Sequence, residues 1–340
     1  MTARKAEAEP RSVRWKRRAV TIPTMLAATL VAVVGLPVLA PAFVVADLAR
    51  ARWRLPSVRV YLFVTQYAIN DSVEILIAPW YWLLAVAGTR LDSRPSIRRH
   101  QRVQEWSVVL LARRAEQLLG VRVEVDDQSF EALAPAPAIV LCRHVNVLDA
   151  SLPSLLYQRI GIRIRAVIMA ELLADPGFDL LYRRLGSIFI PRDIGVDARN
   201  AIHDLAATLD RSTVAVIFPE GRLFRADVLE RARARIAASD SGRARRLDGL
   251  RHVLPIRPGG VNALLDAAPD ADVVVIAHTG LEPYADFRSL ARHVPLTTPL
   301  QVTAWRIPRE AVPTDPIERN HWLDLTWQGV DDWIDTHRRA

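Results

Sequence analysis

The sequence predicts an α/β fold, in which a mostly parallel sheet is covered by helices and an N-terminal helical segment anchors the chain in a membrane. Three observations support this prediction. Short apolar runs alternate with helical patterns between residues 120 and 280, as expected for parallel strands buried on both faces. Residues 19–46 carry no charge, and about 20 apolar residues suffice to cross a membrane. Finally, 51% of the 340 residues are hydrophobic, enough for a full core as well as an anchor.

The apolar N-terminal run has basic residues on both sides. They are Arg11, Arg14, Lys16, Arg17 and Arg18 before it and Arg50, Arg52, Arg54 and Arg59 after it. Positive charge on both flanks disfavours a single span. Pro37 and Pro41 offer a bend, so we expect a re-entrant hairpin that returns to the cytoplasmic face. Two spans, with residues 75–89 as the second, remain open, as does a signal peptide cleaved after Ala40.

The rest of the chain divides by composition. Residues 75–89 are apolar and aromatic but short, which favours an interfacial or partly buried segment, and the basic residues 90–107 favour a linker. The sequence therefore predicts four parts. They are a basic N-terminus with membrane anchor (1–58), an interfacial segment and linker (59–100), a large α/β domain (101–306) and a C-terminal amphipathic helix (307–340).

Within the large domain the apolar periodicity gives the elements in order. Continuous apolar runs predict strands at 121–125, 138–142, 162–169, 188–190, 213–218, 252–256 and 273–278. Helical spacing predicts helices at 108–119, 196–209, 228–238, 260–268 and 320–337, and a broken helical stretch at 171–185. Leu323, Trp327, Val330 and Ile334 share one stripe of the last helix, which fits a docked helix or a membrane-surface helix.

Composition excludes several function classes. The net charge of +8 comes from arginine, since Lys5 and Lys16 are the only lysines. A basic surface suits anionic lipid, acyl-carrier protein, a nucleotide thioester or nucleic acid, but the sequence contains no nucleic-acid-binding module. A single cysteine, Cys142, excludes an internal disulfide and a cysteine-rich zinc site, and its apolar surroundings favour a packing role. No histidine pair has the spacing of a metal site, so we expect no metal.

Residues 138–158 carry the first catalytic candidates. His144 follows a predicted strand, and Asp149 lies where the next helical pattern begins. A strand, turn and helix entry can bring the two together, and the carboxylate would then fix the imidazole tautomer so that the other nitrogen can take a proton. The alternative is a capping box, with Asn146 as N-cap and Asp149 at N3.

Two later stretches favour the catalytic interpretation. Residues 186–193 read GSIFIPRD and residues 217–225 read IFPEGRLFR. His-x4-Asp, Gly-x-x-Phe-Ile-x-Arg and Phe-Pro-Glu-Gly, in that order, resemble the glycerolipid acyltransferase family, which acylates lysophosphatidate and related lysophospholipids. Residues 273–282 are similar to the last apolar strand of the family. Residues 250–265 look more like the branch that acts on larger head groups.

The resemblance implies acyl transfer from acyl-CoA or acyl-carrier protein to a lysophospholipid hydroxyl at a membrane. It implies His144 as general base and Asp149 as its orienter, with no cofactor and no covalent intermediate. Glu220 and Gly221 would line the acceptor pocket with Phe218 and Pro219, and Arg192 would hold the acceptor phosphate. Arg222 would add to this cradle. For each polar residue a plain structural role, a turn or a surface ion pair, is the alternative.

The chain also departs from the family pattern. Arg143 stands where Asn is common, Asn146 where Ser is frequent, Pro191 where an acidic residue is usual, and Arg222 and Leu223 replace Thr and a small polar residue. Because Arg143 and Arg222 add positive charge, we expect an acceptor with more than one phosphate or an anionic glycolipid as an alternative to lysophosphatidate. A non-catalytic membrane lipid-binding protein is the rival of another class. The expected location is the cytoplasmic face of the cell membrane.

Overall fold

The computed structural model describes residues 9–134, 137–191, 195–284 and 287–338. The chain divides into two compact units. The first, here called the helical unit, comprises Met1–Arg122, Ile168–Pro191 and Arg288–Thr297. The second, here called the sheet unit, comprises Val123–Val167, Arg192–Phe287 and Thr298–Ala340.

The helices and strands have the following bounds. The helices are α1 (Arg11–Val34), α2 (Leu36–Ala49), α3 (Pro56–Leu84), α4 (Arg94–Arg114), α5 (Asp127–Ala132), α6 (Leu152–Gln158), α7 (Val196–Ala206), α8 (Ala226–Ser239), α9 (Ser241–Arg246), α10 (Pro258–Ala267), α11 (Phe287–His293) and α12 (Pro316–His337). The strands are β1 (Val123–Val125), β2 (Ala138–Cys142), β3 (Arg163–Met169), β4 (Ile188–Ile190), β5 (Thr213–Ile217), β6 (Asp272–Thr279) and β7 (Leu300–Ile307).

The helical unit begins with α1 and α2, which meet at Gly35, a residue that itself keeps helical dihedral angles (φ −72°, ψ −14°). Among the described residues, α1 is the one helix long and apolar enough to cross a membrane, and only 6% of its most apolar window is buried. It is therefore the candidate membrane anchor that the sequence predicts.

The chain reverses at residues 50–55, after α2. Ala51 and Leu55 have positive φ there (53° and 52°), and α3 then runs back along α2 and α1. Tyr61 Oη donates to Ala32 O at 2.6 Å, and Thr29 Oγ1 donates to Ala68 O at 3.0 Å. The reversal therefore lies after α2 and not at the two prolines, since Pro37 is in the first turn of α2 and Pro41 is inside that helix.

Two segments of this unit are more regular than the sequence suggests. The predicted interfacial segment 75–89 is mostly the end of α3, and the predicted linker 90–107 lies largely in α4. Asp71 and Glu74, which precede the predicted interfacial segment, are 6% and 7% exposed on α3. In α4 a buried stripe that includes Val103 and Val108 is interspersed with arginines, which obscure its helical period.

The sheet unit holds six strands in the order β1-β7-β6-β2-β5-β3. Neighbours are parallel except β6 and β7, which are antiparallel. Ile139 of the central strand β2 lies opposite Ala215 of β5 and Val273 of β6, and all five residues of β2 are buried. The predicted fold class, a mostly parallel sheet covered by helices, is confirmed.

One predicted strand does not form and one strand lies outside the predicted set. Residues 252–256 have no strand pairing, because their amides bind side chains instead: the Asp331 carboxylate accepts from the amides of His252 and Val253. The strand missing from the prediction is β7, whose residues alternate between buried and partly exposed as expected at a half-covered position.

The C-terminal helix α12 docks on the sheet unit. Its stripe of Leu323, Trp327, Val330 and Ile334 is 0% exposed. The docked alternative is therefore correct for this stripe, and a membrane-surface role for the same face is excluded by its burial.

Candidate active site

His144 lies just beyond the carboxyl end of β2. The preceding residue still follows the sheet, since Arg143 N donates to Ile276 O at 3.1 Å. The chain then turns, and Asp149 opens a 3₁₀ turn (Asp149–Ser151) that leads into α6. Strand end and helix entry thus bring the two residues together as the sequence predicts.

The two oxygens of Asp149 divide two roles between them. Oδ1 lies 2.6 Å from His144 Nδ1, while Oδ2 accepts hydrogen bonds from the amides of Val145 (2.6 Å) and Asn146 (2.8 Å). The capping alternative and the orienting role are therefore both fulfilled by one carboxylate. Because Asp149 is fully buried, its bond to the imidazole is shielded from water.

The environment of His144 suits a base. Burial by itself lowers the pKa of an imidazole, but the facing Asp149 carboxylate outweighs it and holds the pKa of His144 above its ordinary value. Burial would raise the pKa of Asp149, yet His144 and His278 keep it below its ordinary value, so the carboxylate is ionised at neutral pH. Within the described residues Nε2 has no protein partner, and the side chain is 21% exposed. That nitrogen is available to a substrate hydroxyl.

Phe218 and Pro219 lie beside the base. The Phe218 ring centroid is 4.4 Å from the His144 ring centroid, so the phenyl ring supports one face of the imidazole. Pro219 O accepts from Arg257 N at 2.9 Å. Phe218 and Pro219 are predicted to line the acceptor pocket. In the structure they support the His144 ring and the loop before α10.

Glu220 uses both carboxylate oxygens on backbone amides. Oε1 accepts from His144 N at 3.2 Å and Oε2 from Leu254 N at 2.7 Å. Burial raises the pKa of Glu220 to about 7, against the opposing hydrogen bond from Leu254 and the charge of Arg143. Glu220 thus links the turn that carries His144 to the loop before α10. It also lines a cavity that this loop borders.

Gly221 and Arg222 complete the motif after β5. Gly221 has φ +67° and its amide donates to Phe218 O at 3.0 Å, a left-handed turn conformation that glycine adopts without strain. Arg222 lines the same cavity as Glu220. Arg192, the predicted phosphate ligand, lies outside the described residues.

Arg143 is a structural residue. Its guanidinium is fully buried and donates to Glu282 Oε1 (2.6 Å) and to the carbonyls of His252 (2.6 Å) and His278 (2.6 Å). Burial would raise the pKa of Glu282, but Arg143 lowers it to about 2. The expected contribution of Arg143 to a head-group site is therefore wrong, since its charge is neutralised inside the protein.

The sequence did not single out His278, at the end of β6. Its Nε2 lies 3.1 Å from Arg143 O and 3.5 Å from Asp149 Oδ2, and the ring is 0% exposed. It faces Oδ2 of Asp149, whereas His144 faces Oδ1. The sequence does contain a signal that could have identified His278: it ends a continuous apolar strand, VVVIAH. A histidine buried there requires polar partners.

Cys142 is 0% exposed, and burial raises the pKa of its thiol. A protonated, inaccessible thiol cannot act as a nucleophile, so the predicted packing role is confirmed. Among the described residues, no group of three His, Cys, Asp or Glu side chains has the arrangement of a metal site.

Comparison with known proteins agrees with this chemistry. Residues 122–279 match the family described as Acyltransferase. This match agrees with the resemblance carried by the ordered motifs. Among solved structures, the chain is similar to the crystal structure of the 1-acyl-sn-glycerophosphate (LPA) acyltransferase PlsC from Thermotoga maritima. The identity is 15%, the TM-score 0.46, and the alignment covers 78% of this chain and 96% of that one. No curated protein matches the chain.

Proposed function

We propose that this protein transfers a fatty acyl group from acyl-CoA or acyl-carrier protein to the free hydroxyl of a lysophosphatidate-type lysophospholipid. The observation that carries the proposal is the buried Asp149 carboxylate 2.6 Å from His144 Nδ1, which leaves Nε2 of the partly exposed imidazole available as a general base. The acyltransferase match over residues 122–279 supports the reaction class.

The mechanism needs one base and no covalent intermediate. His144 Nε2 takes the proton of the acceptor hydroxyl as its oxygen attacks the thioester carbonyl carbon, a step worth about 10²- to 10⁴-fold. The tetrahedral intermediate then expels the thiolate, which takes the proton back from the imidazolium. Asp149 keeps the imidazole in the productive tautomer and stabilises the imidazolium while it exists.

Further features support the acceptor and the location in this proposal. Arg192, by resemblance, and Arg222 would bind the phosphate, since a guanidinium can meet two phosphate oxygens. The apolar α1 would keep the enzyme at the membrane where such acceptors reside, with the active site at the cytoplasmic face, where acyl-CoA and acyl-carrier protein occur.

The first test compares membranes that carry the wild type, His144→Ala and a matched histidine control, His203→Ala. His203 is an exposed residue of α7 with 53% of its side chain accessible. We expect His144→Ala to reduce transfer from acyl-CoA to lysophosphatidate by about 10²-fold or more, and His203→Ala to retain wild-type rates.

The outcomes are distinct. Equal rates in wild type and His144→Ala, with both variants folded and in the membrane fraction, would refute the mechanism. Transfer to another lysophospholipid or an anionic glycolipid, but not to lysophosphatidate, would refute the acceptor. The absence of transfer by wild type from either donor would favour a non-catalytic lipid-binding protein.

A further inference from the structure

The sheet unit contains a second polar feature beside the proposed base, a cavity of about 490 Å³. Its walls come from α7, α8, α9, the turn after β5 and the loop that opens α10. Six arginines line it: Arg199, Arg222, Arg231, Arg235, Arg243 and Arg257. We call this cavity the arginine pocket. Its volume lies in the range of about 300–1,000 Å³ that is typical of small-molecule sites, so it is larger than one phosphate requires.

Three of these arginines have no carboxylate partner among the described residues. Arg231 is paired with Asp227 (2.6 Å) and Arg243 with Asp324 (2.8 Å). In contrast, no carboxylate of the described residues lies within 4.0 Å of Arg199, Arg222 or Arg235, and the Nε of Arg222 is buried without a hydrogen-bond partner. Such a concentration of positive charge around a concave surface favours an anionic ligand.

Negative charge inside the arginine pocket is limited to Glu220 among the described lining residues. Both of its oxygens already accept from backbone amides. The helix α10 also begins here, with Arg257 as its N-cap residue and Gly259 and Gly260 in its first turn. The first amides of a helix lack intrahelical partners and point toward an anion placed at the end, which adds to the attraction of the guanidinium groups.

The arginine pocket lies next to the turn that carries His144. Glu220 is part of its wall, and the same carboxylate accepts from His144 N at 3.2 Å. The Glu220 side chain therefore contacts both the arginine pocket and the turn that carries His144. The charged groups of a lysophospholipid head group are a few bonds from the reacting hydroxyl, whereas the nucleotide phosphates of acyl-CoA are separated from the thioester by the long pantetheine arm.

We propose that the arginine pocket binds a second anionic group of the acceptor head group, so that the protein prefers lysophospholipids with two phosphate groups over those with one. This inference rests on the proposed acyl transfer. It replaces the expectation based on Arg143, whose charge is neutralised by Glu282, with arginines on α7 and α8 to which the family resemblance gives no role.

The activity test uses two acceptors of matched size, lysophosphatidylinositol and its 4-phosphate, with acyl-CoA as a constant donor. The full-length wild type is compared with the double variant Arg199→Gln/Arg235→Gln and with Arg245→Gln. Arg245 is an exposed arginine of α9 outside the pocket lining. We expect wild-type kcat/KM to favour the 4-phosphate by about tenfold or more, the double variant to lose that preference, and Arg245→Gln to retain it.

Two results would overturn the proposal. One is a wild-type preference for the acceptor with one phosphate, or a preference that survives in the double variant. The other is a double variant whose KM rises for acyl-CoA but not for acyl-carrier protein while acceptor preference is kept, because the pocket would then hold the nucleotide of the donor.

A binding measurement separates this inference from the proposed reaction. Calorimetric titration of the purified full-length protein with glycerol bisphosphate and with glycerol phosphate requires no turnover. Tighter binding of the bisphosphate to wild type and His144→Ala, and its loss in the double variant, would support the pocket even if acyl transfer were absent. Equal binding of both probes would overturn the inference even if acyl transfer were present.

Discussion

At His144 the two ring nitrogens have different environments. Nδ1 faces the buried carboxylate of Asp149, and Nε2 is open to a substrate, so the neutral ring has its proton on Nδ1. Because the carboxylate stabilises the protonated ring, the pKa of His144 is held above its ordinary value. As a general base His144 would therefore be strong, but it would become protonated, and so inactive, at a higher pH than an isolated histidine.

This arrangement predicts the pH dependence of the reaction. Since only neutral His144 can accept a proton, kcat/KM should fall as the pH decreases through the raised pKa of the imidazole, with the midpoint above 6.5. Asp149→Asn should lower kcat/KM by about 10²-fold or more and move the remaining acidic limb to lower pH. The measurement is kcat/KM against pH for both proteins.

The control for that experiment is Asp204→Asn, which changes an exposed carboxylate on α7 with 54% of its side chain accessible. It should keep both the rate and the acidic limb of wild type. An Asp149→Asn protein with an unshifted limb would contradict the assignment of that limb to His144.

At the scale of elements, the turn that follows β6 places Glu282 where it pairs with Arg143. Gly280 has φ +116°, and a Cβ there would lie 2.8 Å from the backbone oxygen of Pro299. Its amide donates to Glu282 Oε2 at 2.8 Å, which holds the carboxylate that pairs with Arg143. The turn therefore depends on a residue without a side chain.

Gly280→Ala should lower the free energy of unfolding by about 1–3 kcal/mol, because it combines an unfavourable φ with a backbone clash. Gly329→Ala is the matched control, since Gly329 lies inside α12 and an added Cβ meets no atom within 4 Å. There alanine should stabilise the protein by about 1 kcal/mol. Thermal unfolding of both variants in one detergent checks the opposite signs, and a Gly280→Ala protein as stable as wild type would contradict the expected clash with Pro299.

On the scale of the whole molecule, α1 also forms polar contacts that stabilise the helical unit. Arg18 Nε donates to the carboxylate of Asp179 at 2.8 Å, and Asp179 is 1% exposed. Thr29 Oγ1 donates a hydrogen bond to the carbonyl oxygen of Ala68 on α3. An acidic side chain buried at this level requires its partners, because an unpaired buried charge is costly.

Removal of residues 1–49 should therefore give an aggregated protein instead of a soluble active enzyme. The deletion exposes α3 and takes away two of the arginines that bind Asp179. Size-exclusion chromatography and acyl transfer, with the full chain in the same detergent as reference, are the measurements. A monodisperse, active truncated protein would show that α1 and α2 serve for membrane attachment alone.

The sequence predicts those features that depend on local pattern. Alternating apolar runs and helices gave the parallel sheet, and the motif order brought His144 and Asp149 together because both lie in one strand–turn–helix unit. The role of Arg143 could not be predicted, because its partners Glu282 and His278 are 139 and 135 positions away. The arginine pocket was missed for a different reason: its walls come from segments that have no common sequence pattern.

The buried Arg143 also has a consequence for biosynthesis. A nascent chain that has been made as far as residue 250 already contains His144 and Asp149, but it lacks the carbonyls of His252 and His278 and the carboxylate of Glu282 that bind the guanidinium. Until those residues have been translated, the Arg143 guanidinium lacks the partners that it binds in the folded protein. The candidate active site can therefore be completed only after translation of most of the chain, so that an incomplete product should be inactive.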